Sequence, residues 1–249
     1  GGATPATIAV IDGTLHIGLT NDQLNALGQA KNVAKLSRAD IAACIATGGT
    51  GATTVAATMI SAHLAGIKVF ATGGIGGVHK GAETTFDISA DLHELARTSV
   101  TVVAAGAKAI LDLEKTYEVL ETLGVPVIVF GQDTLPAFWS ATSTLPAPLR
   151  MDSAADIAAS HQMRAAMGLP GGQLITNPIP QDAQIPAETL APIIAQALDE
   201  AATKGIAAKA VTPFLLGRIF ELTDGASLTA NIALVRNNAA LAAKIAASF

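Results

Sequence analysis

The 249-residue sequence predicts an α/β fold: a central, mostly parallel β-sheet flanked by helices on both faces, with an N-terminal β-hairpin. Three observations carry this. Short runs of β-branched and aliphatic residues alternate with stretches of helical periodicity. An Asp12-Gly13 turn stands between two apolar runs near the start. Half the residues are hydrophobic yet only 4% are aromatic, so the core is built from Ala, Val, Ile and Leu, which suits close packing of helices on a sheet.

Taken in order, Ala6–Ile11 and Leu15–Leu19 are the hairpin strands, and Ser37 is expected to cap a helix running to Ala46. A second helix is expected near Thr53, after the loop Gly48-Gly49-Thr50-Gly51. Ile67–Ala71 reads as a short strand ending in Thr72-Gly73-Gly74-Ile75-Gly76-Gly77, and a helix follows from Ser89 or Asp91. Val100–Ala104 is a buried-type strand, and Ile110–Leu123 is helical with Gly124 as its stop. Val125–Phe130 is a third such strand. The uncharged, proline-bearing Thr134–Leu149 segment is expected to be an irregular cover. A helix from Asp152 or Ser153 to Met167, a strand Leu174–Thr176, and helices over Ala187–Lys204, Pro213–Leu222 and Ser227 to the end complete the reading. No repeat of fixed period and no linker stands out, so residues 1–249 read as one domain.

Charge and cysteine content narrow the function. A net charge of −5 with no Lys/Arg run argues against a nucleic-acid polymer as partner. The single cysteine, Cys44, forbids an internal disulfide, and no secretory signal is visible, so a cytoplasmic location is expected. Ile41–Ala62 carries no charge, but its glycines and threonines argue against a membrane span.

Three features could carry chemistry. The Gly48–Thr54 loop precedes a helix, where free N–H groups and the helix dipole suit a phosphate; it lacks the lysine of a P-loop, and the Gly73–Gly77 loop does not fit a dinucleotide fingerprint. Tight turns alone would also explain these glycines. Lys108 stands just past a buried strand, where desolvation would favour a neutral, nucleophilic amine; a lysine snorkelling to water fits the same position. Glu83, Asp87 and Asp91 lie within nine residues, Asp87 and Asp91 sharing a face if the segment is helical. Such oxygen ligands suit Mg2+ or Mn2+, whereas Ser89 could equally serve as a helix cap. Neither His nor Cys spacing supports zinc.

These pieces follow a familiar order: Thr53-Thr54-Val55-Ala56, then Val69 to His79, Asp87-Ile88-Ser89-Ala90-Asp91-Leu92, and Ala105-Gly106-Ala107-Lys108-Ala109-Ile110-Leu111-Asp112. Leu120-Glu121-Thr122, Asn177-Pro178-Ile179-Pro180, Thr212-Pro213-Phe214-Leu215-Leu216 and Ser227-Leu228-Thr229-Ala230-Asn231-Ile232 extend it. Together they resemble the pseudouridine-5'-phosphate glycosidase family, which includes the indigoidine synthase A-like proteins. The resemblance covers essentially the whole chain. It implies reversible cleavage of pseudouridine 5'-phosphate into uracil and ribose 5-phosphate, in nucleotide catabolism.

It also implies roles. Lys108 would form an imine with C1' of ring-opened ribose, and Asp87 would hold a divalent metal, usually Mn2+. Lys35, Thr54, Val55 through its backbone, Ser89, Ala90 and Asp91 match substrate-binding positions, with Lys35 toward the phosphate. His79 and Asn231 fall in the pocket, Asn231 at the uracil edge. A homotrimer is implied as well. Two departures stand out. Lys80 replaces a residue that is often Arg, losing bidentate phosphate geometry. The family's acidic Leu-Glu-Ser-Thr motif does not occur in this sequence, so weak or no turnover is expected of residues 1–249 by themselves. Two rival readings remain at this point: a (β/α)8 Schiff-base aldolase, for which five or six strands are too few, and a non-catalytic binding or pigment-pathway protein with the same fold.

Overall fold

Two consecutive residues of positive φ, Asp12 at 47° and Gly13 at 74°, close the first hairpin with the sense of turn that matches strand twist. They join β1 (Ile8–Ile11) to β2 (Thr14–Ile17) in the expected antiparallel register, each strand shorter than the apolar run. The computed structural model describes residues 1–206 and 210–249.

The next stretch departs from expectation. Helix α1 (Asn21–Gln29) forms where no helix was predicted, closed by a capping box between Thr20 and Gln23. Strand β3 (Ala34–Leu36) follows. Ser37 does not cap a helix: its amide donates to Asp40 Oδ2 at 2.9 Å in a tight turn, so helix α2 (Ile41–Ala46) starts later. The Gly-rich loop itself contains a strand, β4 (Gly51–Thr53), which pairs parallel with β3 and antiparallel with β1. A Cβ at Gly51 would lie 2.6 Å from Leu36 Cδ1, so this close pairing requires glycine. The hairpin thus grows into a four-stranded sheet of order β2-β1-β4-β3.

Helix α3 (Val55–Leu64) and strand β5 (Val69–Ala71) come next. They are followed by β6 (Val78–His79), α4 (Ala82–Thr85) and α5 (Ala90–Leu95). Strand β7 (Thr101–Ala104) leads to β8 (Leu111–Asp112), which pairs with β6 and delays α6 to Leu113–Thr122. Gly124, at φ 69°, ends that helix as predicted. Strand β9 (Val127–Phe130) precedes the irregular cover, whose end forms an unpredicted edge strand, β10 (Leu149–Met151). Helix α7 (Ala154–Ala166), capped by Ser153, and strand β11 (Gln173–Thr176) match expectation closely. Helices α8 (Ala187–Thr203), α9 (Val211–Leu222) and α10 (Ala226–Ala246) end the chain.

The central sheet is entirely parallel, in the order β10-β9-β11-β7-β5. Strand alternation divides its side chains between two cores. Val102, Ala104, Leu174, Val127 and Val129 join one cluster with Leu92, Leu95, Leu120, Leu190 and Ile194, from α5, α6 and α8. Val103, Ile128 and Ile175 face Ile157 and Ala158 of α7 and Leu241, Ala242 and Ile245 of α10. Helices therefore cover both faces, as predicted. The uncharged Ile41–Ala62 run is divided among α2, β4 and α3, and among the described residues no helix is long and apolar enough to cross a membrane.

Candidate active site

In a parallel sheet, ligands are met at the carboxyl ends of the strands. Here β5 ends in Thr72-Gly73, β7 in Ala105–Lys108 and β11 in Asn177, all at one edge. Their loops are tied together. Ile75 N–H donates to Gly106 O at 3.1 Å, and Lys108 N–H donates to Ile75 O at 3.2 Å. Asn177 N–H donates to Ala104 O at 2.8 Å, and the buried Asn238 of α10 donates to Thr72 O at 2.8 Å.

Lys108 is half-buried at the end of the turn after β7. Burial holds its ammonium below the ordinary lysine range; Asp91 opposes that and Lys35 reinforces it. The amine is thus biased toward its neutral, nucleophilic form. His79, on β6, is held below the usual imidazole range mainly by burial, opposed by Asp87 and reinforced by Lys108 and Lys35. These mutual influences gather Lys35, His79, Asp87, Asp91 and Lys108 into one electrostatic cluster.

Asp91 is the keystone of this cluster and is buried. One carboxylate oxygen accepts from Ala56 N–H at 2.9 Å and the other from Gly76 N–H at 2.8 Å. It therefore joins the start of α5 to the start of α3 and to the Gly73–Gly77 loop. A Cβ at Gly76 would stand 2.6 Å from Ser89 Cβ and 2.8 Å from Asp91 Oδ2, so glycine is obligatory there. Ser89 caps α5 by accepting from Asp91 N–H, and its own amide donates to Gly77 O, with Ala90 as the first helical residue.

At α3, Thr54 Oγ1 accepts from Ala57 N–H at 3.3 Å and Asp91 takes Ala56 N–H. Among the described residues, Val55 N–H at the positive end of this helix has no acceptor. It is available to an anion, with Lys35 of β3 as the nearby cation.

Asp87 does not share a helical face with Asp91, because α5 begins only at Ala90. Its carboxylate lies 4.0 Å from His79 Nδ1 and is 41% exposed, whereas Glu83 turns away to Lys115 at 3.2 Å. No group of three His, Cys, Asp or Glu side chains able to hold a metal occurs among the described residues. One exposed carboxylate fits a hard cation that keeps most of its coordination as water and substrate oxygen; it does not fit zinc.

Asn231 Oδ1 accepts from Trp139 Nε1 at 2.8 Å, and the adjoining Phe138 N–H donates to Ala105 O in the turn that leads to Lys108. Lys80 is exposed and lies in the field of Asp112. Sequence reasoning missed Trp139 as the residue orienting Asn231, and the Arg38–Glu94 pair at 2.7 Å that anchors the Lys35 strand to α5. Contacts across 92 and 56 residues leave no local pattern.

Fold and site together define a parallel-sheet α/β enzyme with a partly desolvated lysine at the strand ends. The sequence matches the indigoidine synthase A-like protein family over residues 1–248, and the chain belongs to that family. It is 73% identical over 245 residues to a pseudouridine-5'-phosphate glycosidase of Jannaschia sp. (strain CCS1), covering 98% of this chain and 81% of that one. A glycosidase of the same name from Roseobacter denitrificans is 74% identical, covering 98% and 79%. Among solved structures, a prealnumycin C-glycosynthase in complex with ribulose 5-phosphate superposes with a TM-score of 0.93 at 39% identity, covering 99% of this chain and 82% of that one. An indigoidine synthase A-like protein of Thermotoga maritima superposes at 0.89 with 32% identity, covering 97% and 79%.

Proposed function

We propose that this protein cleaves the C-glycosidic bond of pseudouridine 5'-phosphate, reversibly, to uracil and ribose 5-phosphate. Identity above 70% to glycosidases of that name supports the substrate. The observation that carries the chemistry is Lys108, a partly desolvated amine at the strand ends with its charged form disfavoured.

A C-glycosidic bond has no heteroatom leaving group, so protonating a glycosidic oxygen, as in ordinary glycosidases, cannot release the base. The Lys108 amine supplies another route. Opening of the ribose breaks its bond from C1' to the ring oxygen, which keeps the electron pair and takes up the proton that the amine releases as it bonds to C1'. The bond from C1' to uracil then breaks, its electron pair leaving with the uracil carbon, which takes a proton, while the nitrogen lone pair forms the iminium. Water hydrolyses the iminium, returning the amine and ribose 5-phosphate. Val55 N–H and Lys35 hold the phosphate. Asp91 holds the loops in register and partly offsets the desolvation of Lys108. Asp87 would hold Mn2+, or Mg2+ in its place, and the cation would supply charge neutralisation beside the substrate. We place the protein in nucleotide catabolism, in the cytoplasm, as a homotrimer.

The test is uracil release from pseudouridine 5'-phosphate, with and without Mn2+. Release that is lost in Lys108→Ala supports the proposal. Release of acetaldehyde from deoxyribose 5-phosphate with none of uracil would instead show an aldolase.

A further inference from the structure

Tyr117 of α6 stands directly behind the turn that presents Lys108. Its side chain is 7% exposed, and its hydroxyl has no hydrogen-bond partner of full geometry among the described residues. The oxygen faces the backbone amide of Ala107.

The turn explains why that amide is available. On one side, Gly106 O accepts from Ile75 and Lys108 N–H donates back to Ile75. Extended backbone alternates its polar groups, so the intervening Ala107 N–H points the other way, toward α6. Gly106 lies at φ 85°, and a Cβ there would meet the Tyr117 hydroxyl at 2.8 Å and Pro136 O at 3.1 Å. The turn is thus pinned to Ile75 in front and pressed on the phenol behind. A phenyl ring would fill the same volume without burying a polar oxygen that lacks a full partner, which is a destabilising feature. Packing alone therefore does not account for the oxygen. The amide it faces belongs to Ala107, the residue immediately before the one that carries the amine.

We propose that Tyr117 is a positioning residue for Lys108: its hydroxyl opposes the Ala107 N–H and fixes where the turn places the lysine. This rests on the reading of Lys108 as the imine-forming amine.

The experiment uses Tyr117→Phe, which removes only the oxygen, and Leu120→Ala, which loosens the same helix at a fully buried position about one turn further along. Borohydride trapping of ribose 5-phosphate on Lys108 is followed against sugar concentration, giving a maximal rate and a half-saturating concentration. Tyr117→Phe is expected to keep or raise the melting temperature, leave half-saturation unchanged, and lower the maximal rate by about 2- to 13-fold, the effect of losing one polar contact to the turn. Leu120→Ala is expected to lower the melting temperature and leave the maximal rate unchanged. The proposal is overturned if Tyr117→Phe traps at the wild-type rate, or if Leu120→Ala slows trapping equally. A wild type that traps nothing on Lys108 overturns both this proposal and the reading beneath it. A wild type that traps, with Tyr117→Phe equal to it, overturns this proposal alone.

Discussion

Replacing Asp91 by Asn probes structure and chemistry at once. The wild-type carboxylate accepts two backbone N–H groups, from Ala56 at 2.9 Å and Gly76 at 2.8 Å. An Asn can accept from only one of them, and its NH2 must face the other donor. Hydrogen bonds to charged groups contribute about 1.5–3 kcal/mol, and leaving a buried donor unpaired costs about 1–3 kcal/mol. Counting the one lost bond alone, the net loss is about 1.5–3 kcal/mol, or a fall in Tm of about 3–12 °C for a chain of this size. The charge matters separately. Burial pushes the Lys108 ammonium toward the neutral form, and the Asp91 carboxylate pulls it back. Without the carboxylate the lysine pKa falls further, so the rising limb of imine trapping against pH moves to more acidic pH. Scanning calorimetry and the pH dependence of borohydride trapping read the two effects. An unchanged Tm would refute the anchoring role, and a shift of the limb to alkaline pH would refute the electrostatic order.

Three further outcomes are expected. Glu94→Gln breaks a bidentate pair whose acid is 1% exposed but whose arginine is half exposed and can turn to water; the loss is that of hydrogen bonds to a charged group, about 1.5–3 kcal/mol, and is read by urea unfolding. Lys108→Met removes a group whose folded pKa lies below its unfolded value, so the wild type carries a penalty that is full below the folded pKa and relieved as pH rises through the unfolded one. The variant should therefore be at least as stable as wild type at neutral pH, its advantage shrinking toward alkaline pH; a thermal-shift series across pH decides this. Asp87→Asn should remove the stabilisation that excess Mn2+ gives the wild type, about 2.7 kcal/mol at one hundred times Kd and read as a rise in Tm; an equal rise in the variant would place the cation elsewhere.

The central sheet was legible because β9 is a continuous apolar run, and β7 and β11 hold apolar cores bounded by Thr or Gln, each flanked by helical periodicity, the pattern of strands buried on both faces. Helix α7 was equally plain, with Ser153 at its start and Gly168 beyond its end. The four-stranded sheet was not. Strands β3, β4 and β10 are three residues each, and Gly51–Thr53 pairs because glycine admits Leu36 rather than because of any β propensity.

At the site, motif order pointed to Lys108, Asp87 and Asp91. Their geometry was hidden in long-range contacts. The three carboxylates in nine residues suggested a shared ligand set, yet they diverge: Asp91 to backbone amides, Asp87 to solvent beside His79, Glu83 to Lys115. Asp91 could not be read as an anchor, because its partners lie 35 and 15 residues away and are backbone groups.

Peptide mapping by mass spectrometry, after borohydride reduction in the presence of ribose 5-phosphate, identifies the amine that captures the sugar. A reduced ribose-phosphate adduct is expected on Lys108, with Lys35 unmodified although it is the more exposed amine. An adduct on Lys35 with Lys108 untouched, or none on either, would contradict the role given to Lys108.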